Sequence, residues 1–145
     1  MGSLSSILIC TLWIVILLFT ATICRFSFPK QKELARKIIH IGVGPIIPLA
    51  WWINIPTNLA TSFATLITIG LVINHRFQFL PAIEDVPRKT YGTIAYAFSI
   101  TILLKLFWTT QAAAVSAGIL VMAFGDGLAG LIGPQIKSPS WQILG

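Results

Sequence analysis

Charge is scarce in this chain. Ten Lys and Arg and four Asp and Glu make up 10% of the 145 residues, against 56% hydrophobic residues. Mean hydropathy is +0.87. A soluble domain of this length cannot bury so much apolar surface, so the balance excludes a soluble globular protein and leaves an integral membrane protein. Cysteine is nearly absent. Cys10 and Cys24 would stand about 21 Å apart along a helix, too far for a disulfide, and carry no metal or redox spacing. Cys24 beside Arg25 sits where a lipid can be attached, but one boundary cysteine is a weak signal. The N-terminal run lacks the basic n-region and small-residue cleavage site of a secretory signal, and reads as a retained span. No repeat or low-complexity tract is visible.

What the sequence does have is long apolar runs. Five of them, 4–24, 38–55, 57–74, 93–108 and 112–132, are long enough or nearly long enough to cross a hydrocarbon core about 30 Å thick. The expectation is an all-α, multi-pass transmembrane bundle of about five spans, forming one integral-membrane domain over 1–145. Two short polar links, 54–58 and 109–111, imply antiparallel hairpins of spans two with three and four with five. Gly42, Gly44, Pro45 and Pro48 predict a kinked or broken second span, since irregular backbone at such depth survives only when buried or lining a wet cavity.

In a soluble protein a net charge of +6 would point to nucleic acid, but here the cations flank spans. Arg25, Lys30, Lys32, Arg36 and Lys37 occupy the first connection, Arg76, Arg88 and Lys89 the third, and Lys137 the tail; Lys105 falls toward the other side. This asymmetry predicts an outside N-terminus and a cytoplasmic C-terminus, with Trp51, Trp52 and Trp108 at the outer interface. The basic inner face would attract anionic headgroups or a polyphosphate.

Against that background one acid stands out. Asp126 lies in Gly125-Asp126-Gly127-Leu128-Ala129-Gly130-Leu131-Ile132-Gly133, inside an apolar run, where an ionised carboxylate costs about 2.5 kcal/mol or more unless paired, metal-bound or wet. At helical spacing Asp126, Gly130 and Gly133 share a face, leaving room for a backbone or a phosphate. Small-residue helix packing explains the glycines equally well, but not the charge.

Two further polar runs accompany it. Glu33, Arg36, Lys37 and His40 form one helical stripe entering the second span, with Glu33 and Lys37 in the favoured i,i+4 orientation. His40 suits proton transfer, or a hydrogen bond to a neighbouring helix. The run 84–93 holds Glu84, Asp85, Arg88, Lys89, Thr90, Gly92 and Thr93. It leads into span four, where Thr90 or Thr93 can cap the helix and free amides beside Arg88 and Lys89 would make an anion site. The alternatives are an amphipathic lead-in and an ordinary topogenic loop.

In this order, Glu33-Leu34-Ala35-Arg36-Lys37-Ile38-Ile39-His40-Ile41-Gly42, Arg88-Lys89-Thr90-Tyr91-Gly92-Thr93 and Gly125-Asp126-Gly127-Leu128-Ala129-Gly130 resemble the phytol kinases. These are a branch of the polyprenol and dolichol kinase family, membrane enzymes that phosphorylate a long-chain isoprenoid alcohol from CTP or a related nucleotide. The resemblance runs from Gln31 onward. Asp126, Ala129 and Gly133 match the first half of the dolichol kinase nucleotide signature; Gly145 falls about where its Lys-rich second half would begin. The resemblance therefore implies the N-terminal part of a longer kinase fold, inactive alone or completed by a C-terminal partner polypeptide or oligomer.

The resemblance also implies roles. Asp126 would hold Mg²⁺ or another divalent cation on the nucleotide phosphates, which suits a metal bound by one or two carboxylates plus phosphate and water. Gly127, Ala129, Gly130 and Gly133 would give the phosphates backbone access, and Arg36, Lys37, Arg88 and Lys89 would bind phosphate oxygens. His40 or Glu33 would be the general base for the alcohol, its tail lying between the helices within the bilayer. A phosphatidate-type cytidylyltransferase, a transporter subunit using Asp126 for ion coupling, and a scaffold subunit or inert remnant are the competing readings.

Overall fold

The computed structural model describes residues 3–29, 32–80 and 91–136. Lys30, Glu84, Asp85, Arg88, Lys89, Thr90 and Lys137 lie outside them. Among the described residues five α-helices run in chain order: α1 (Ser3–Ser27), α2 (Lys32–Val43), α3 (Ile46–Trp52), α4 (Thr57–Phe77) and α5 (Gly92–Ile132), followed by a 3₁₀ turn at Gly133–Gln135. Three of them, α1, α4 and α5, are long and apolar enough to cross a membrane. The all-α membrane architecture expected from the sequence is what forms.

α1 is apolar around its whole circumference, as a lipid-facing helix must be. Leu4, Leu8, Leu12, Phe19 and Ile23 point away from the bundle, while Cys10 and Ala21 are buried in it. Its contacts run antiparallel to α2 and α3: Ala21 packs with Ala35, Trp13 Nε1 donates to the Gly42 carbonyl at 2.9 Å, and Cys10 joins Ile46 and Ile47. In α4, Thr61, Thr65 and Thr68 turn their hydroxyls back onto carbonyls four residues earlier at 2.7–2.8 Å. That satisfies the donors without water and lets hydroxyls sit in an apolar helix.

The second span is broken between α2 and α3, as its Gly and Pro content predicts. Pro45 has no N–H to offer the carbonyl four residues back, so the chain tightens: Gly44 N–H bonds to the Ile41 carbonyl at 3.2 Å. The last carbonyls of a helix need other donors, and in a bilayer water is not one. Trp13 supplies one to Gly42 and Tyr96 Oη another, to His40, at 3.2 Å. α3 then ends in a turn that puts Asn54 at φ 54°, a left-handed conformation that Asn tolerates better than most residues, with Ile55 N–H bonded to the Ala50 carbonyl.

The fourth and fifth apolar runs are the two arms of α5. Gln111, at φ −139° and ψ 38°, interrupts its helical backbone. A straight helix would hold Tyr96 and Asp126 about 45 Å apart, yet both touch His40; the arms therefore fold back on each other at Gln111, as the short polar link predicts. Both short links lie together, with Thr57 Oγ1 3.1 Å from Thr109 Oγ1. Trp108 is at that end too, turned into the bundle. It is 5% exposed, and its Nε1 donates to the Ile55 carbonyl at 3.1 Å; a carbonyl freed by the turn draws the indole inward. Trp51 and Trp52 remain exposed. The core joins Tyr96, Ile100, Leu104 and Trp108 of one arm to Val115, Ile119 and Ala123 of the other, with Ile46, Ile47 and Ala50 of α3.

Candidate functional site

The site lies where the last two turns of α2 cross the second arm of α5. Lys37 is buried, 6% exposed, and its Nζ donates to the Asp126 carboxylate Oδ2 at 2.8 Å and to the Asp126 backbone carbonyl at 3.0 Å. Two acceptors on one residue compensate an ammonium that burial alone would penalise. The Asp126 side chain is 61% exposed, so its carboxylate is tied to the bundle at one oxygen and open outward.

His40 stands one turn further along α2. Its Nε2 lies 3.2 Å from the same Oδ2, shut off from solvent and without a well-directed hydrogen bond among the described residues. The ring lies against Tyr96 in a tilted contact, with centroids 3.8 Å apart and planes inclined at 32°. The expected stripe thus forms, but its pairing differs from the i,i+4 expectation. Glu33 takes Arg36, with Oε2 accepting from Nε at 3.0 Å and Nη2 at 2.7 Å. Lys37 is withdrawn toward Asp126, because the tertiary partner offers a buried lysine two acceptors and an exposed carboxylate three residues away suits Arg36.

The glycine face meets α2 rather than open space. A Cβ on Gly127 would strike the Ile41 side chain, one on Gly130 the end of the Lys37 side chain, and one on Gly44 would come 2.6 Å from Ala123 Cβ. Gly127 and Gly130 therefore act as the close-packing surface that helix crossing requires, and the phosphate access expected at these two positions is filled by Ile41 and Lys37. Gly125 and Gly133 have open space where a side chain would be, and Ala129 is exposed. Arg88 and Lys89 lie outside the described residues. At the start of α5, Tyr91 is the N-cap residue and no side chain caps the helix, so the capping role expected of Thr93 is not taken up.

On the other side of His40 is a cavity of about 360 Å³ lined by residues of α1 to α5. Its walls are Ile, Leu, Val, Ala and Phe side chains, and its polar lining is confined to a few groups such as Arg36, His40, Asn74, Thr93 and Tyr96. Asn74 is spoken for, receiving Leu80 N–H at 2.7 Å. His40 therefore connects an apolar cavity to an outward-facing carboxylate. Glu33 is not among the lining residues. Among the described residues no group of three His, Cys, Asp or Glu gathers to hold a metal.

Two groups that build the site were not singled out by sequence reasoning, Tyr96 and Trp13. Each is an aromatic with a polar tip inside an apolar run, a combination that in a bilayer signals a waiting acceptor.

Comparison with known proteins bears on this assembly. Over 118 residues, 80% of this chain and 50% of the relative, the sequence is 40% identical to "Phytol kinase" of Synechocystis sp. (strain ATCC 27184 / PCC 6803 / Kazusa). The chain is related to the phytol kinase family. Similar phytol kinase relatives are "Probable phytol kinase 3, chloroplastic" of Glycine max, 28% identical over 82% of this chain and 40% of the relative, and "Probable phytol kinase 2, chloroplastic" of Oryza sativa subsp. japonica, 25% identical over 73% and 38%. The chain spans half or less of the length of the curated phytol kinases it matches. No protein-family model matches it, and no solved structure does.

Proposed function

We propose that this chain carries the alcohol-binding and proton-accepting part of a membrane kinase that transfers a phosphoryl group from CTP or a related nucleotide to a long-chain isoprenoid alcohol such as phytol. The observation that carries the reading is the position of His40, which lines an apolar cavity on one side and lies 3.2 Å from Asp126 on the other. A long-chain alcohol matches that polarity: its tail is as apolar as the walls, and its hydroxyl finds His40 among the few polar groups of the described lining. The family relationship supports the same substrate class.

In this reading His40 accepts the hydroxyl proton as the alcohol oxygen bonds to the terminal phosphorus and the bond from that phosphorus to the nucleoside diphosphate breaks. Asp126 stabilises the imidazolium that results, and Tyr96 holds the ring in place. Glu33, engaged by Arg36, is the weaker candidate for base. Arg36, at the cavity edge, and Arg88 and Lys89, which precede α5 in the sequence, would meet phosphate oxygens. A single outward carboxylate fits Mg²⁺ in the manner of sites completed by phosphate and water, so Asp126 would hold it, and the cation would supply charge neutralisation to the nucleotide phosphates. In the same proposal the outward side of Asp126 faces a further polypeptide segment or partner, the basic end of the bundle faces the nucleotide, and the N-terminus of α1 lies across the membrane.

The test is phosphoryl transfer in membranes carrying this chain, alone or continued by the second half of the Synechocystis relative, given labelled CTP and phytol. Labelled phytyl phosphate and released CDP are expected. Release of pyrophosphate instead would favour a cytidylyltransferase, and no transfer in either form would end the proposal.

A further inference from the structure

We infer that Tyr96 is a positioning residue for His40, fixing the imidazole between the cavity and Asp126 through ring contact rather than by binding the alcohol. The inference rests on the kinase reading above and assigns a residue that neither the sequence motifs nor the family relationship singles out.

Three observations carry it. First, the rings lie 3.8 Å apart at 32°, a close tilted contact that covers one side of the imidazole. Second, the Tyr96 hydroxyl is already committed: it donates to the His40 backbone carbonyl at 3.2 Å, in the last turn of α2 before the Pro45 break. The tyrosine therefore grips the histidine by its ring and by its main chain. Third, Tyr96 is 9% exposed and belongs to the core cluster that contains Ile100 and Leu104 of its own arm, so the grip is anchored in the best-packed part of the bundle.

Without the tyrosine ring, the imidazole would have an apolar cavity to turn into, away from the carboxylate. The groups facing His40 among the described residues are Arg36 and Lys37 on its own helix, and Asp126, Tyr96 and the Met122 backbone on α5. His40 Nε2 lies 3.2 Å from Asp126 Oδ2, so the orientation of the ring decides whether that contact is kept. A misplacement on the order of 1 Å costs about a hundredfold in rate when a reacting group depends on it.

The experiment measures kcat and the KM for phytol in membranes for Tyr96→Phe, Tyr96→Leu and His40→Gln. With the ring kept and only the bond to the His40 carbonyl lost, Tyr96→Phe is expected to lose less than about tenfold in kcat, with the KM for phytol within about twofold of the parent. With the ring lost, Tyr96→Leu is expected to lose about tenfold to a hundredfold in kcat while KM changes less than about twofold. A merely structural core position would tolerate leucine and lose protein abundance, not turnover per molecule. Parent-like kcat in Tyr96→Leu, with His40→Gln inactive, overturns the inference and leaves the kinase reading standing. Parent-like kcat in His40→Gln removes the kinase reading's base and the inference with it. Should Tyr96→Leu fail to accumulate, Tyr96→Phe still decides: a KM for phytol raised about tenfold would make the hydroxyl a substrate ligand and overturn the inference.

Discussion

Lys37 and Asp126, 89 residues apart in sequence, meet through two hydrogen bonds from one ammonium, at 2.8 Å to the carboxylate and 3.0 Å to the backbone carbonyl. The pair is lopsided in burial, since the lysine side chain is 7% exposed and the aspartate 61%. That lopsidedness makes the two partners unequal.

Removing the acid should therefore hurt stability more than removing the base. Asp126→Leu strands a buried ammonium and is expected to cost about 3 kcal/mol, whereas Lys37→Met strands a carboxylate that is already open outward and should cost less. Asp126→Asn keeps an acceptor for Lys37 and should accumulate normally while losing phosphoryl transfer. Thermal unfolding of the detergent-solubilised variants, beside an activity assay, checks all three; Asp126→Asn with full turnover would remove the metal and imidazolium roles together.

The glycines should sort by what faces them. Gly127→Ala drives a methyl into Ile41, a packed contact, and is expected to cost about 1–3 kcal/mol. Gly130→Ala meets the flexible end of Lys37, so the bundle should survive while the Lys37–Asp126 pair is displaced. Gly125→Ala has open space and should be close to neutral in stability. Equal melting temperatures across the series would contradict the crossing geometry.

The cavity offers a length test. Gly70 lines it and has nothing within 4 Å of a would-be side chain. Gly70→Leu should raise the KM for a twenty-carbon alcohol several-fold, with a smaller effect on a ten-carbon one. If both shift equally, the tail does not lie between these helices.

Trp13→Phe removes the donor to the Gly42 carbonyl without emptying the space. A hydrogen bond within a membrane bundle is worth about 1 kcal/mol, and a loss of that order is expected, readable as a lowered melting temperature with unchanged KM. An unaffected variant would mean that the broken span does not depend on this donor.

Much of this architecture is legible in the sequence because the bilayer simplifies the problem. Apolar runs must be helices, Pro45 after Gly44 must break one, and Thr109-Thr110-Gln111 between two runs must turn. The site was only half legible. His40 and Asp126 stood out because ionisable groups are costly at depth, but Tyr96 and Trp13 looked like ordinary apolar residues, since their value lies in which carbonyl each one faces. Arg88 and Lys89, prominent in sequence, lie outside the described residues.

Local composition by itself determined the membrane class, the helices, the break in the second span and the presence of a buried charge problem near Asp126. These follow from the cost of exposing backbone and charge to hydrocarbon, which each segment feels alone. Tertiary structure decided the rest: that Lys37 leaves Glu33 to Arg36 and crosses to Asp126, that Gly127 and Gly130 receive side chains of α2, and that Trp108 turns inward. Each is a choice between partners of similar chemistry, and only the crossing of α2 with α5 fixes which partner is within hydrogen-bond reach.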